Sequence, residues 1–151
     1  QAGYPMIAIN SFSKTYGLAA MRIGYAYTNS EIANYNRQII KPFSLPTLAI
    51  EAGIAAIQDE AFVNETRSLI LKERAFMEKS YLDLGLNFTP SQANFFLIDP
   101  PIPSADFVAH LMKNGIMTRP VDNFGAPGKV RISIGTREAN EALVEALKAL
   151  G

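Results

Sequence analysis

The residues Ser11-Phe-Ser-Lys-Thr-Tyr-Gly-Leu-Ala-Ala-Met-Arg-Ile-Gly24 place several reactive side chains in one short stretch. Lys14 follows an apolar run, where an ammonium is costly to desolvate unless it is used. A lysine whose pKa is lowered can form an imine with an aldehyde. Ser11 and Ser13 bring hydroxyls, and Arg22, eight residues beyond Lys14, can grip phosphate oxygens in bidentate fashion. Gly17, Ala19 and Ala20 keep the backbone between them small enough to approach a ligand. A carbonyl-forming lysine beside a phosphate cradle points to pyridoxal phosphate as the cofactor. A second arginine of interest, Arg131, lies inside the apolar segment Val130-Arg-Ile-Ser-Ile134, where an unpaired charge is expensive. Arg119 stands at a strand end before Pro120. Arg137, at a helix start, reads as a solvated surface charge, and His110 as a surface or boundary residue. Tyr25, Tyr27 and Tyr35 read as packing residues.

The elements that must position these groups follow from pattern. Pro5 to Asn10 is a nearly continuous apolar run, which predicts a strand buried on both faces of a parallel sheet. Arg22 to Thr28 predicts a second strand, and Asn29-Ser30 a cap for the helix after it. Lys41-Pro-Phe-Ser-Leu-Pro46 is a breaker. Thr47 to Gln58, rich in Ala and poor in charge, predicts a well-buried helix. Phe62, Thr66, Ile70, Phe76, Met77 and Leu84 fall near helical spacing and predict a long amphipathic helix ending at Gly85. Strands are expected at Asn94 to Asp99, Ile116 to Arg119 and Val130 to Ile134, and a helix at Ser104 to Lys113. A last helix is capped by Thr136 and carries an apolar face of Ala142, Leu143, Ala146, Leu147 and Leu150.

The second part, 59–151, has the elements of a compact α+β domain. The first, 1–58, does not: two apolar strands and a few helices cannot cover both faces of a parallel sheet. The expectation is therefore an α/β chain that begins inside a larger domain. Composition closes off other classes. With 14 basic and 14 acidic residues the chain is neutral, which argues against a nucleic-acid footprint of clustered positive charge. No apolar run nears the ~20 residues of a membrane helix, and Gln1 to Ile9 has no signal-peptide pattern. The absence of Cys removes disulfides and thiolate chemistry, one His removes a His-rich metal site, and no metal is expected. A reducing, cytoplasmic setting is the default.

The pattern Ser-x-Ser-Lys-x-Tyr-Gly-Leu-Ala-x-x-Arg-x-Gly-Tyr resembles the cofactor-lysine signature of fold-type I aminotransferases. Further blocks follow in the order of the histidinol-phosphate branch. Lys41-Pro-Phe-Ser is similar to its basic-Pro-Phe-Asn turn, and Pro90-Ser-Gln-Ala-Asn-Phe-Phe96 to its Pro-Ser-x-Ala-Asn-Phe strand. Gly115-Ile-Met-Thr-Arg-Pro120 and Val130 to Asn140 also have counterparts there. Ala20 stands where many relatives have Gly, and Ser44 where the turn usually has Asn.

The resemblance implies roles. Lys14 would hold pyridoxal phosphate and move the proton of the reaction, with Ser11, Ser13 and Arg22 on the cofactor's phosphate. Arg131 would pair with the substrate carboxylate and Arg119 with the substrate's far end, while Asn94 and Tyr16 would line the site. The implied architecture is the end of a large cofactor domain with a partial, mostly parallel sheet (1–58), followed by the small C-terminal α+β domain (59–151). The implied activity is transfer of an amino group between histidinol phosphate or an aromatic amino acid and a 2-oxo acid, 2-oxoglutarate, in histidine or other amino-acid biosynthesis. Alternatives on the same fold are a threonine-phosphate decarboxylase-like lyase and the cofactor-binding sensor domain of a transcription regulator. In the family, the groups that grip the cofactor ring precede the lysine, so the chain alone is expected to be inactive without the missing N-terminal part. A homodimer is the family expectation. The faces around Ile7, Ile9, Ile23 and Tyr25 are expected to be exposed in the isolated chain and to drive association.

Overall fold

The computed structural model describes residues 5–150; the start of the Gln1 to Ile9 segment and the last residue of 59–151 lie outside the described residues. The chain divides into two compact units, 1–67 and 68–151, and the division falls within one long helix.

In the first unit, strands β1 (Ala8–Ser11) and β2 (Gly24–Tyr27) pair antiparallel, with Ala8 opposite Tyr27 and Ser11 opposite Gly24. Asn29 caps α1 (Ser30–Ile39) by accepting from the Ile32 amide, as its residue type predicts. Pro46 precedes α2 (Thr47–Gln58). Phe12, Ile23 and Ala49 form a small core, with Tyr16, Leu18, Met21, Tyr25 and Ala56 packed around it.

Two expectations fail here. The first strand is not parallel: its one pairing among the described residues is antiparallel, and every residue of β1 is exposed, as expected of Ile9 in the isolated chain. The second is α2, which forms over the expected residues but buries only Ala49 and Gly53, leaving Leu48, Ile50, Ile54 and Ile57 exposed. The cause is the same in both cases. The apolar residues are there, but the described residues of this unit do not supply enough elements to cover them. Ile23, expected to be exposed, is buried instead, because Phe12 and Ala49 pack on it.

The second unit closes its own core. After α3 (Glu60–Asp83), strands β3 (Asn87–Thr89) and β4 (Phe95–Asp99), helix α4 (Ser104–Lys113), strands β5 (Arg119–Pro120) and β6 (Val130–Ser133), and helix α5 (Arg137–Lys148) follow. The sheet order is β3-β4-β6-β5, antiparallel throughout. Alternation in β4 and β6 sends Phe96, Ile98, Val130 and Ile132 into the core. There they meet Met77 and Tyr81 of α3, Phe107 and Leu111 of α4, and Leu143, Val144, Ala146 and Leu147 of α5. Thr136 caps α5 as expected, accepting from the Ala139 amide, while Ala142 faces solvent and Val144 takes a place on the buried face. His110 lies half-buried between helices, its Nε2 donating to the Ala146 carbonyl at 2.8 Å.

The buried face of α3 contains two charges that by residue type belong in solvent, Glu73 and Arg74. Glu73 is only 1% exposed. Its Oε1 accepts from Arg137 Nε and Nη2 at 3.2 and 3.0 Å, and its Oε2 from Asn140 Nδ2 at 3.0 Å. Arg137 is therefore no free surface charge. It pairs with Glu73 and stacks on Phe76 at 3.8 Å, because a buried carboxylate needs a counter-ion.

Burial alone would raise the Glu73 pKa. The hydrogen bonds from Asn140 and Arg137, with the Arg137 charge, outweigh burial and hold it below the ordinary 4.5. The folded chain thus binds this proton more weakly than the unfolded chain. The stability that the carboxylate contributes is complete above pH 4.5 and is lost as pH falls through the lowered value. Urea midpoints measured from pH 7 down to pH 3 should fall more steeply in the wild type than in Glu73→Gln, which lacks this titration.

Candidate functional site

The first cluster of predicted residues lies on one closed loop. Pairing of Ser11 with Gly24 brings the ends of the segment Phe12 to Ile23 together, and the Phe12 amide donates to the Ile23 carbonyl at 3.2 Å. The loop packs on its own side chains, as compact surface loops of roughly 6–16 residues do. Phe12 points inward, Tyr16 lies against it with ring centroids 4.7 Å apart, and Leu18 donates its amide to the Phe12 carbonyl at 3.0 Å. Tyr16 is half-buried in this packing.

The polar residues point the other way. Ser11 and Lys14 are exposed and Ser13 is half-buried; Ser11 Oγ accepts from the Ser13 amide at 3.0 Å. The Gly17 amide donates to the Lys14 carbonyl at 3.0 Å, a turn completed by Gly17 at φ +69°. Arg22 sits at φ +54°, an uncommon left-handed conformation for a non-glycine residue. Its Nη1 donates to the Ala19 carbonyl at 2.8 Å. The loop thus carries two hydroxyls, an ammonium and a guanidinium, and the stretch Ser11 to Gly24 contains no acidic residue. Such a donor set suits an anionic ligand bearing a carbonyl for the amine to attack.

The second cluster lies on the sheet of the second unit. Arg119 of β5 and Arg131 of β6 are directly opposite each other. Like charges in that relation repel, and each guanidinium lies over an aromatic ring: Arg119 on Phe124 at 4.6 Å, Arg131 on Phe95 at 4.3 Å. These four residues, with Leu97, Val121 and Ala126, line a cleft of about 240 Å³. Arg131 Nε is buried without a hydrogen-bond partner among the described residues. Two cations and an unused donor give the cleft a lining that suits an anion. Asn94, half-buried, stands just before β4, and its carbonyl accepts from the Ile134 amide at 2.9 Å.

The structure therefore gathers Ser11, Ser13, Lys14, Tyr16 and Arg22 on one loop, and Arg119 and Arg131 in one cleft. The platforms Phe95 and Phe124 were missed by sequence reasoning. Phe95 had a partial signal, because alternation turns it away from the buried Phe96, but only the register of β4 on β6 places it beside Arg131. Phe124 had none, since the turn Asp122–Phe124 is too short for any apolar period to show.

The class I and II aminotransferase model matches residues 1–147, and the chain belongs to that family. It is 40% identical over 147 residues to the histidinol-phosphate aminotransferase of Symbiobacterium thermophilum, covering 97% of this chain and 41% of that enzyme. The chain therefore spans about 40% of the length of such relatives. The crystal structure of the Clostridium acetobutylicum histidinol-phosphate aminotransferase superposes with a TM-score of 0.88 at 27% identity, covering 95% of this chain and 45% of that one. The Sinorhizobium meliloti enzyme, solved in complex with pyridoxal-5'-phosphate, gives 0.79 at 28% identity, covering 96% and 42%. Mixed α/β structure is common ground. Among the described residues no helix is long and apolar enough to cross a membrane.

The closure of the lysine loop rests on close backbone approach at Gly24. A Cβ there would meet the Asn10 carbonyl oxygen at 2.8 Å, and that backbone cannot move without breaking the β1–β2 pairing. At Gly53 in α2 a Cβ would meet only the end of the Ile23 side chain, at 3.2 Å. Gly24→Ala should lower stability by about 1–3 kcal/mol. Gly53→Ala should stay within about 1 kcal/mol of wild type, because helix propensity offsets the small adjustment. Urea midpoints of the two variants make the comparison.

Proposed function

We propose that the protein to which this chain belongs is a pyridoxal-phosphate-dependent aminotransferase that moves an amino group between histidinol phosphate or an aromatic amino acid and 2-oxoglutarate. The observation that carries the reading is the closed, acid-free loop that gathers Lys14 with Ser11, Ser13 and Arg22. Its donor set fits the cofactor: Lys14 Nζ would hold the aldehyde carbon, and the two hydroxyls and Arg22 would hold the phosphate. When bound, the cofactor supplies an electron sink that stabilises negative charge at the substrate's Cα.

The chain's own residues do the rest. Lys14 Nζ would be the base that takes the proton from the substrate's Cα and carries it to the cofactor's aldehyde carbon. Arg131 orients the substrate by gripping the carboxylate of the amino acid or 2-oxo acid with its planar fork, which lies over the Phe95 ring. Arg119 meets the far anionic end. The resemblance would place Asn94 beside the substrate and Tyr16, which packs on Phe12 in the lysine loop, beside the cofactor. A lyase acting on an amino-acid phosphate would use the same two arginines and would release CO2 rather than need a 2-oxo acid.

We read 1–58 as the end of the large cofactor domain, whose mostly parallel sheet is completed by the missing N-terminal part of the protein, and 59–151 as the small domain. The exposed apolar side chains of β1 and α2, Ile9, Leu48, Ile50, Ile54 and Ile57 among them, support that reading and a homodimer. A cytoplasmic setting accords with a chain without cysteine. The isolated chain should be inactive, and light scattering should find it self-associated; a monodisperse monomer at high concentration would count against the covered face.

Borohydride reduction of the full-length protein with pyridoxal phosphate should place the pyridoxyl group selectively on Lys14, as mapped by peptide mass spectrometry. Labelling spread over the other lysines would sink the assignment. Turnover that depends on 2-oxoglutarate then supports transfer, and CO2 release without it supports the lyase.

A further inference from the structure

Glu73 and Arg74 are consecutive residues of α3, 1% and 9% exposed, with opposite charges. Successive helical residues do not face each other, and these two hold different segments of chain. Arg74 Nη2 donates to the carbonyls of Gln92 at 2.8 Å and Ala93 at 3.0 Å, and its Nη1 to Gln92 Oε1 at 3.3 Å. Glu73 holds Asn140. The Asn140 side chain in turn clasps the backbone of Gly135, accepting from its amide at 3.0 Å and donating to its carbonyl at 3.1 Å.

Both segments lie at the same end of the β4–β6 ladder. Gln92 and Ala93 lead into Asn94 and Phe95. Gly135 follows Ile134, whose amide closes that end on the Asn94 carbonyl. Phe95 pairs with Ser133, so Arg131 is its diagonal neighbour, and the guanidinium stacks on the Phe95 ring through this relation. A one-residue slip of β4 would turn Phe95 to the other face and remove the stack. Apolar side chains at positions 73 and 74 would cover the core without desolvating two charges; what they could not do is hold carbonyls and an amide in place.

We propose that Glu73 and Arg74 are positioning residues for substrate binding, which pin the two chain ends that set Arg131 against Phe95 and place Asn94. This rests on the reading of Arg131 as the ligand of the substrate carboxylate, and it adds residues that touch no substrate.

The test uses the full-length protein with Arg74→Met, Arg74→Lys and Glu73→Gln, and Arg131→Lys as a control. Arg74→Met should raise KM for 2-oxoglutarate about tenfold or more while kcat stays within about threefold. Arg74→Lys should recover part of the loss, since an ammonium can still donate to the Gln92 and Ala93 carbonyls. Hydrogen exchange should quicken at the Ile134 amide in Arg74→Met and at the Gly135 amide in Glu73→Gln. The proposal is overturned if exchange at both amides is unchanged, or if kcat falls with the fraction of folded enzyme while KM stays constant. Should Arg74→Met fail to fold, Arg74→Lys and Glu73→Gln carry the same two readouts. If Arg131→Lys leaves KM unaltered, the role of Arg131 fails instead, and exchange alone decides whether the two charges pin the ladder.

Discussion

Antiparallel pairing of β5 with β6 puts Arg119 directly opposite Arg131, and the chemistry of the second unit depends on that constraint. Two guanidiniums across a ladder repel each other, and a sheet under selection for stability alone would place an acid at one of the two positions. Here the described residues offer each an aromatic face, a weaker partner that leaves the positive charge uncancelled. The strand can hold Arg131 because Val130 and Ile132 on either side of it are buried in the opposite direction. The core beneath, from Phe96, Ile98, Phe107 and Leu143, fixes the sheet against α3, α4 and α5. An anion in the cleft would relieve both the repulsion and the buried Arg131 Nε.

Much of this was legible in the sequence, for reasons that differ by element. Helix α4 occupies Ser104 to Lys113 as predicted, because a proline turn starts it and its apolar spacing is regular. The cap at Thr136 and the core strands β4 and β6 follow from local side-chain chemistry and short apolar runs. Strand β3 went unread: Asn87 to Thr89 is too short for a period to show, and its pairing with β4 defines it. Glu73 and Arg74 look like solvent charges by type. Their positions, however, share a face with Met77 and Tyr81, since Glu73, Met77 and Tyr81 recur at four-residue steps. Residue type misled there and spacing did not.

The first unit shows the opposite failure. The apolar run of α2 was read as evidence of burial, yet Ile50 and Ile54 lie exposed, whereas the exposure of Ile9 was expected of the isolated chain. Hydrophobicity in a sequence records what a surface requires, not what the same stretch of chain can supply. The positions that are satisfied locally, Phe12, Ile23 and Ala49, are those on which the lysine loop itself folds. The loop's geometry therefore has a local basis, even though the strands that frame it are bare on their faces.

This difference explains why the two clusters were not equally visible. Ser11, Ser13, Lys14 and Arg22 are close in sequence, and a single hairpin closure makes them close in space, so spacing alone carried the reading. Arg119 and Arg131 meet through a β-ladder, and their aromatic platforms come from a neighbouring strand and a turn. Nothing in the local pattern around Arg131 says that Phe95 lies beneath it; that follows from the register of β4 on β6. Register in turn is a property of the whole layer, set by the core below and by hydrogen bonds at the ladder's end. A lysine proposed for covalent chemistry can rest on a short, self-packed loop, because its long side chain tolerates small errors. A guanidinium proposed to meet a carboxylate with two parallel hydrogen bonds has no such latitude, and it is the one set into the better-packed unit.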